Sequence, residues 1–176
     1  ISLRQNLEKV LHIDPLIADS GIRVQGALSR SLYTDNKLVF DKYDKNFVTD
    51  LGDITLTITI PDSKKHIQMA KDIKKAWEEK LDVKVVIRQI PMGEFVEKVV
   101  KPRDFEIMLY GQEVSRDPDR YAIWHSTQIN EPGLNLTGIS HVRADRALEE
   151  GRNELDSEKR AVHYNEFQKV INEQTP

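Results

Sequence analysis

Residues 54–60 read ITLTITI. Ile54, Leu56, Ile58 and Ile60 fall on one side of this run and Thr55, Thr57 and Thr59 on the other, a strict period of two in mostly β-branched residues that predicts a strand with one apolar face. PDSKK (61–65) then ends the strand and offers Asp62 or Ser63 as a helix N-cap. Beyond it Ile67, Ala70, Ile73, Trp77 and Leu81 recur at helical spacing, predicting an amphipathic helix through about Glu79 with Trp77 in its core stripe. VKVVIRQI (83–90) returns as a strand, GEFVEKVV (93–100) reads as a short helix, and FEIMLY (105–110) as a third strand. The order β-α-β-α-β predicts an α/β fold, a mainly parallel sheet with right-handed crossovers flanked by helices. In open sheets of this kind ligands meet the loops at the carboxyl ends of the strands. The segment after the third strand, GQEVSRDPDRYAIWHS (111–126), is therefore where a ligand is expected on topology alone.

Upstream, LRQNLEKVLHI (3–13) places Leu3, Leu7, Val10 and Leu11 on one helical face and gives way to mixed polar sequence as far as Asp50. Downstream, a loop bearing Gly, Asn and Pro (130–140) precedes two helices, about 141–153 and 157–172. The expected organisation is a single α/β lobe over 1–176, with an irregular or helical lead-in to residue 52 and the core from 53 onward.

With 39% hydrophobic and 31% charged residues, 176 positions suffice for one sizeable core. The 26 basic and 29 acidic residues give a net charge of −3, with no basic excess for a phosphate backbone, so nucleic acid is not an expected partner. The absence of cysteine excludes disulfides, thiolate metal sites and Cys nucleophiles, and is compatible with an oxidising compartment or a reducing one. No apolar run approaches the roughly 20 residues that span a bilayer, and the first residues are not a signal segment. The chain opens on Ile1, as a processed or trimmed protein would.

The densest chemistry lies in RDPDRYAIWHSTQ (116–128). Asp117-Pro118 reads as an N-cap followed by a proline suited to the first helical turn, whose amide has no partner in any case. Beside it, His125 is a candidate general base that Asp117 could serve, but no serine elbow, Gly-rich phosphate loop or HExxH motif accompanies it. Trp124 can either staple its loop to the core or form a wall of a ligand cleft. The five histidines, at 12, 66, 125, 141 and 163, lack metal-ligand spacing, so no metal and no cofactor is expected. Paired acids such as Glu78-Glu79 and Glu149-Glu150 read as solvated helix faces, and the NLT triplet at Asn135 as a chance glycosylation pattern.

The order of motifs resembles the oligopeptide/dipeptide solute-binding proteins of ABC transporters. The resemblance rests on Phe105-Glu106, Gly111, Asp117-Pro118-Asp119, Trp124-His125-Ser126, Asn135, Asp145, Arg160, Tyr164, Gln168 and Pro176, taken in sequence. LRQNLEKVL near the start and IQMAKDIKKAWEEKLDVKVVIRQIPMGEF (67–95) also look like units of that family. The family's loop Trp after Gly is Gln112 here, and its Tyr-x-Asn-Pro is replaced by ISHVRAD (139–145). The resemblance implies the second lobe of a periplasmic-binding-protein (type II) fold in an extracytoplasmic protein, periplasmic or lipid-anchored. It also implies non-catalytic capture of a peptide or peptide-like solute, delivery to a membrane permease, and a first lobe elsewhere in the protein. The residues it points to as ligand contacts are Tyr110, Gly111, Gln112, Glu113, Trp124, Met92 and Asn135. Two other readings are an α/β enzyme domain using His125 and Asp117, and a stand-alone interaction domain.

Overall fold

The computed structural model describes residues 2–17, 21–24, 26–28 and 42–176; most of the middle of the lead-in, residues 29–41, lies outside them. The chain forms two compact units, Ile1–Arg23 with Lys42–Glu113, and Val24–Asp41 with Val114–Pro176.

In the first unit, β1 (Thr55–Pro61), β2 (Lys84–Ile90) and β3 (Ile107–Met108) form a parallel sheet in the order β2-β1-β3, with Ile58 opposite both Ile87 and Ile107. Short helices α1 (Leu3–Lys9) and α2 (Ile13–Ile17) precede it, and α3 (Lys64–Leu81) crosses from β1 to β2. Of the two capping candidates for α3, Ser63 takes the role: its hydroxyl accepts from His66 N–H at 3.3 Å. The helix runs to Leu81 and stops where Asp82 turns left-handed at φ 51°. Its stripe of Ala70, Ile73, Trp77 and Leu81 packs with Leu56, Ile58, Ile60, Val83 and Val85, and with Leu7 and Val10 from the start of the chain. Each such Leu or Ile removed from water contributes about 1.5–3 kcal/mol, so this one layer accounts for the sharp sequence signal between 54 and 90.

Three local expectations need correction. The threonine face of β1 is not wholly a solvent face, since Thr59 is 0% exposed; parallel sheets are covered on both faces. The third strand is shorter than 105–110, because Glu106 substitutes a side chain for the ladder and accepts Thr57 N–H on its carboxylate at 2.8 Å. The helix expected over 93–100 is a 3-10 turn (Met92–Glu94) running into a π-helical turn (Val96–Val100), closed by Lys101 N–H on Val96 O at 2.9 Å. Val96, Val99 and Val100 fit the spacing of an α-helix or a π-turn equally, so periodicity does not separate the two.

In the second unit, α4 (Tyr121–Trp124) leads through a loop to α5 (Val142–Asn153) and α6 (Ser157–Gln174). The Asp156 carboxylate starts α6 by accepting from Glu158 and Lys159 N–H, both at 3.0 Å. Helices α5 and α6 pack antiparallel, joining Ala144, Ala147 and Leu148 to Tyr164, Phe167, Val170 and Ile171 in one apolar cluster that Leu28 completes.

Candidate functional site

Parallel pairing brings the carboxyl ends of all three strands to one edge of the sheet. At that edge Pro61 is opposite Ile90, Asp62 N–H donates to Ile90 O at 2.9 Å, and Leu109 N–H donates to Thr59 O at 3.1 Å. The Asp62 carboxylate reaches sideways and accepts Met92 N–H at 2.9 Å, fixing the segment after β2 against the end of β1. Met92 and the run Tyr110, Gly111, Gln112 and Glu113 all leave from this edge and all are exposed.

Gly111, Gln112 and Glu113 make no hydrogen bond with any of the described residues, through backbone or side chain. Open backbone donors and acceptors at a strand end are what an extended peptide needs in order to pair with a protein main chain. The Glu113 carboxylate also lacks an ion-pair partner among the described residues, whereas Glu94 and Glu97, in the segment after β2, are neutralised by Lys98 and Lys101 at 2.5 Å. Tyr110 is fixed differently: its ring stacks on that of Phe95, with centroids 5.0 Å apart and planes 12° apart. Phe95 is itself fully buried, so the exposed Tyr110 ring rests on a fixed partner. In the sequence, a Phe on a short helical segment is indistinguishable from ordinary core.

Trp124, Asn135 and Asp117 lie in the second unit. Asn135 is 1% exposed. Its Nδ2 donates to the carbonyls of Trp124, His125 and Ile139 at 3.1, 3.2 and 2.9 Å, and its Oδ1 accepts from Thr137 Oγ1 and Gly138 N–H. A carboxamide engaged on both sides closes its own loop and has nothing left for a ligand or a glycan, which corrects the expectation of a contact here. The same loop needs Gly133, where a Cβ would come within 2.3 Å of Gln128 O. Trp124 packs edge-on against Phe167, with centroids 6.1 Å apart, so its ring staples the loop to the core of this unit.

Asp117 does not cap α4. The first free amide of that helix, Tyr121 N–H, donates to Asp119 Oδ1 at 3.0 Å, while Asp117 accepts Asp119 N–H at 2.8 Å in a turn of its own. Both oxygens of Asp117 are also held by Arg160, at 2.9 Å each. This guanidinium holds the Asp117 carboxyl below the usual carboxylate range, against a smaller opposing effect of burial. Beneath it Arg120, 3% exposed, donates to the carbonyls of Asp117, Asp119 and Ser115. The acids and arginines of 116–120 are thus largely committed to shaping the loop.

His125 is also committed. Its Nδ1 accepts Thr127 N–H at 3.2 Å and lies 2.9 Å from Thr127 Oγ1. Its Nε2 is 3.2 Å from Glu149 Oε1, and its ring stacks on Tyr121. The acid/base pairing of His125 with Asp117 that an enzyme would need is replaced by separate partners for each.

No family model matches the chain. The oligopeptide-binding protein AppA of Bacillus subtilis is 29% identical over 98 residues, which cover 55% of this chain and 18% of AppA. The structure of AppA in complex with a nonapeptide matches at a TM-score of 0.80 and 20% identity, over 98% of this chain and 40% of that one. The periplasmic binding protein DppA of Helicobacter pylori, in complex with the peptide STSA, matches at 0.83 and 15% identity, over 98% and 36%. NikZ of Campylobacter jejuni, in complex with Ni(L-His), matches at 0.78 and 21% identity, over 97% and 39%. The chain is similar to the oligopeptide/dipeptide solute-binding proteins of ABC transporters and has the α/β fold of part of a periplasmic binding protein. It spans well under half the length of these relatives.

Proposed function

We propose that this chain supplies one lobe of a non-catalytic solute-binding protein that captures a peptide, or a peptide-like solute, outside the cytoplasm and delivers it to the membrane permease of an ABC transporter. The observation that carries this reading is the loop Tyr110–Glu113 at the carboxyl edge of the parallel sheet, where the backbone of 111–113 and the Glu113 carboxylate have no partner among the described residues. Main-chain pairing gives affinity that tolerates varied side chains, and in this reading Glu113 meets a cationic group such as the peptide's amino terminus. The similarity to AppA, a protein named for oligopeptide binding, supports the same assignment.

The test is calorimetry on the intact protein, comparing a free-amine peptide with its N-acetylated form, in wild type and Glu113→Gln. The expected result is a preference for the free amine that the substitution abolishes. Equal affinity across the four combinations removes Glu113 from the site. No measurable binding by any peptide overturns the function.

A further inference from the structure

Three large apolar side chains stand open to water around the loop: Met92 is 48% exposed, Val96 42% and Tyr110 37%. All three are organised by the buried Phe95. Its N–H donates to Met92 O, its ring stacks on Tyr110, and Val96 follows it as the first residue of the π-turn. Met92 is also pinned through its backbone by Asp62, so the exposed thioether projects from a fixed point. One face of Tyr110 is taken up by Phe95. Its hydroxyl has no partner among the described residues. The charges nearest along the segment, Glu94 with Lys98 and Glu97 with Lys101, cancel in i,i+4 pairs, and Tyr110 leads directly into the Gly111–Glu113 backbone.

We propose that Tyr110 on Phe95, together with Met92, forms a side-chain subsite that selects an aromatic residue of the bound peptide. The inference rests on the peptide-binding reading and adds a specificity to it. A parallel ring pair offers a third ring an offset-stacking surface, and a methionine sulfur beside it favours the edge of an aromatic ring over an alkyl chain. An aliphatic side chain gains only the buried area. An aromatic one gains a further few-fold to tenfold in affinity.

The experiment is calorimetry of the intact protein with tetra-alanine and with tetra-alanine carrying a single Phe, Leu or Arg at each position in turn. The readout is the ratio of each substituted peptide's affinity to that of tetra-alanine. The expected result is one register in which Phe binds several-fold tighter than Leu or Arg. That ratio should be retained in Tyr110→Phe, fall to about one in Tyr110→Ser and be reduced in Met92→Ser, whatever happens to the affinity for tetra-alanine itself. Peptide binding with no Phe preference in any register, or a preference that survives both Tyr110→Ser and Met92→Ser, overturns the subsite and leaves the peptide-binding function standing. An Arg preference lost in Tyr110→Ser overturns the aromatic assignment in favour of a cation on the ring face. Failure of every peptide to bind overturns the function and the subsite with it.

Discussion

Arg160 lays its two terminal nitrogens on the two carboxylate oxygens of Asp117, each at 2.9 Å, across 43 residues of sequence. The fork-to-fork geometry is the strongest form of this pair, and it ties the loop before α4 to the first turns of α6. Arg160 also donates to Gly151 O at the end of α5. One guanidinium therefore joins three segments of the second unit.

Asp117→Asn should lower stability at neutral pH by about 0.5–1.5 kcal/mol, a modest figure because the carboxylate is roughly half exposed and screened by solvent. The pH dependence follows from the sign of the shift. Asp117 has a folded pKa below its unfolded one, so its contribution is complete above the unfolded value of about 3.9 and is lost as pH falls through the lower folded value. The stability gap between wild type and variant, followed by urea titration, should hold from neutral pH to about 5 and close toward pH 2. A gap that stays constant into strong acid removes the ion pair as its cause.

Trp77 Nε1 donates to Leu7 O at 3.1 Å in the core of the first unit. Leu7 is near the end of a seven-residue helix, where the last carbonyls have no helical partner, and a helix that short does not persist alone in water. Trp77→Phe keeps most of the packing but orphans the carbonyl, at a cost of about 1–3 kcal/mol. Hydrogen exchange should show the amides of α1 losing protection ahead of those of α3. Equal loss in both helices would mean that packing volume, not the hydrogen bond, was what the indole supplied.

Legibility followed the range of the forces involved. The stripe from Ala70 to Leu81 and the alternation from Ile54 to Ile60 are local patterns answering to one buried layer, and both elements formed where the sequence placed them. Asp117 before Pro118 reads as the cap of the following helix, but Arg160, distant in sequence, holds its carboxylate elsewhere and Asp119 takes the first amide. Asn135 stands in the sequence as a ligand contact implied by the resemblance, and only the convergence of three carbonyls on its amide shows that it is internal. That residues 110–113 follow the carboxyl end of β3 was legible from topology, whereas the stacking of Tyr110 on Phe95 was not. Nor did anything in the composition between 105 and 120 mark the boundary between the two units.

Gly151 sits within α5, where alanine would ordinarily gain about 1 kcal/mol in helix propensity. Here a Cβ would approach Tyr164 Cζ to 3.0 Å and both Cε atoms to 3.2 Å. That ring is 0% exposed and Arg160 lies over it with its guanidinium 5.4 Å from the centroid, so it has little room to retreat. Overpacking of this kind costs about 1–3 kcal/mol, which outweighs the propensity gain. Gly151→Ala should therefore lower the unfolding free energy by a net ~1 kcal/mol and with it the denaturation midpoint, and pairing it with Tyr164→Phe should not restore it, since the clash is with the ring. A raised midpoint for the single variant would show that the two helices can separate by the few tenths of an ångström required.

The partners of His125 determine where its proton sits. Thr127 N–H donates to Nδ1, so Nδ1 must be an acceptor and the neutral ring carries its proton on Nε2, directed to Glu149 Oε1 at 3.2 Å with Asp145 Oδ1 farther off at 3.9 Å. The ring is then the N-cap of the 3-10 turn Ser126–Gln128, a role usually filled by a short polar side chain. Long-range nitrogen–proton correlation spectra should show an acceptor Nδ1 and the proton on Nε2. His125→Asn keeps an acceptor near the Nδ1 position and should be the milder change. His125→Ala loses the cap as well as the stacking on Tyr121, and should cost about 1 kcal/mol more, the usual value of a cap. A general base would behave otherwise, since both substitutions would abolish a turnover. An Nδ1–H tautomer, or equal destabilisation by Asn and Ala, would show that the histidine does not hold this loop by its δ nitrogen.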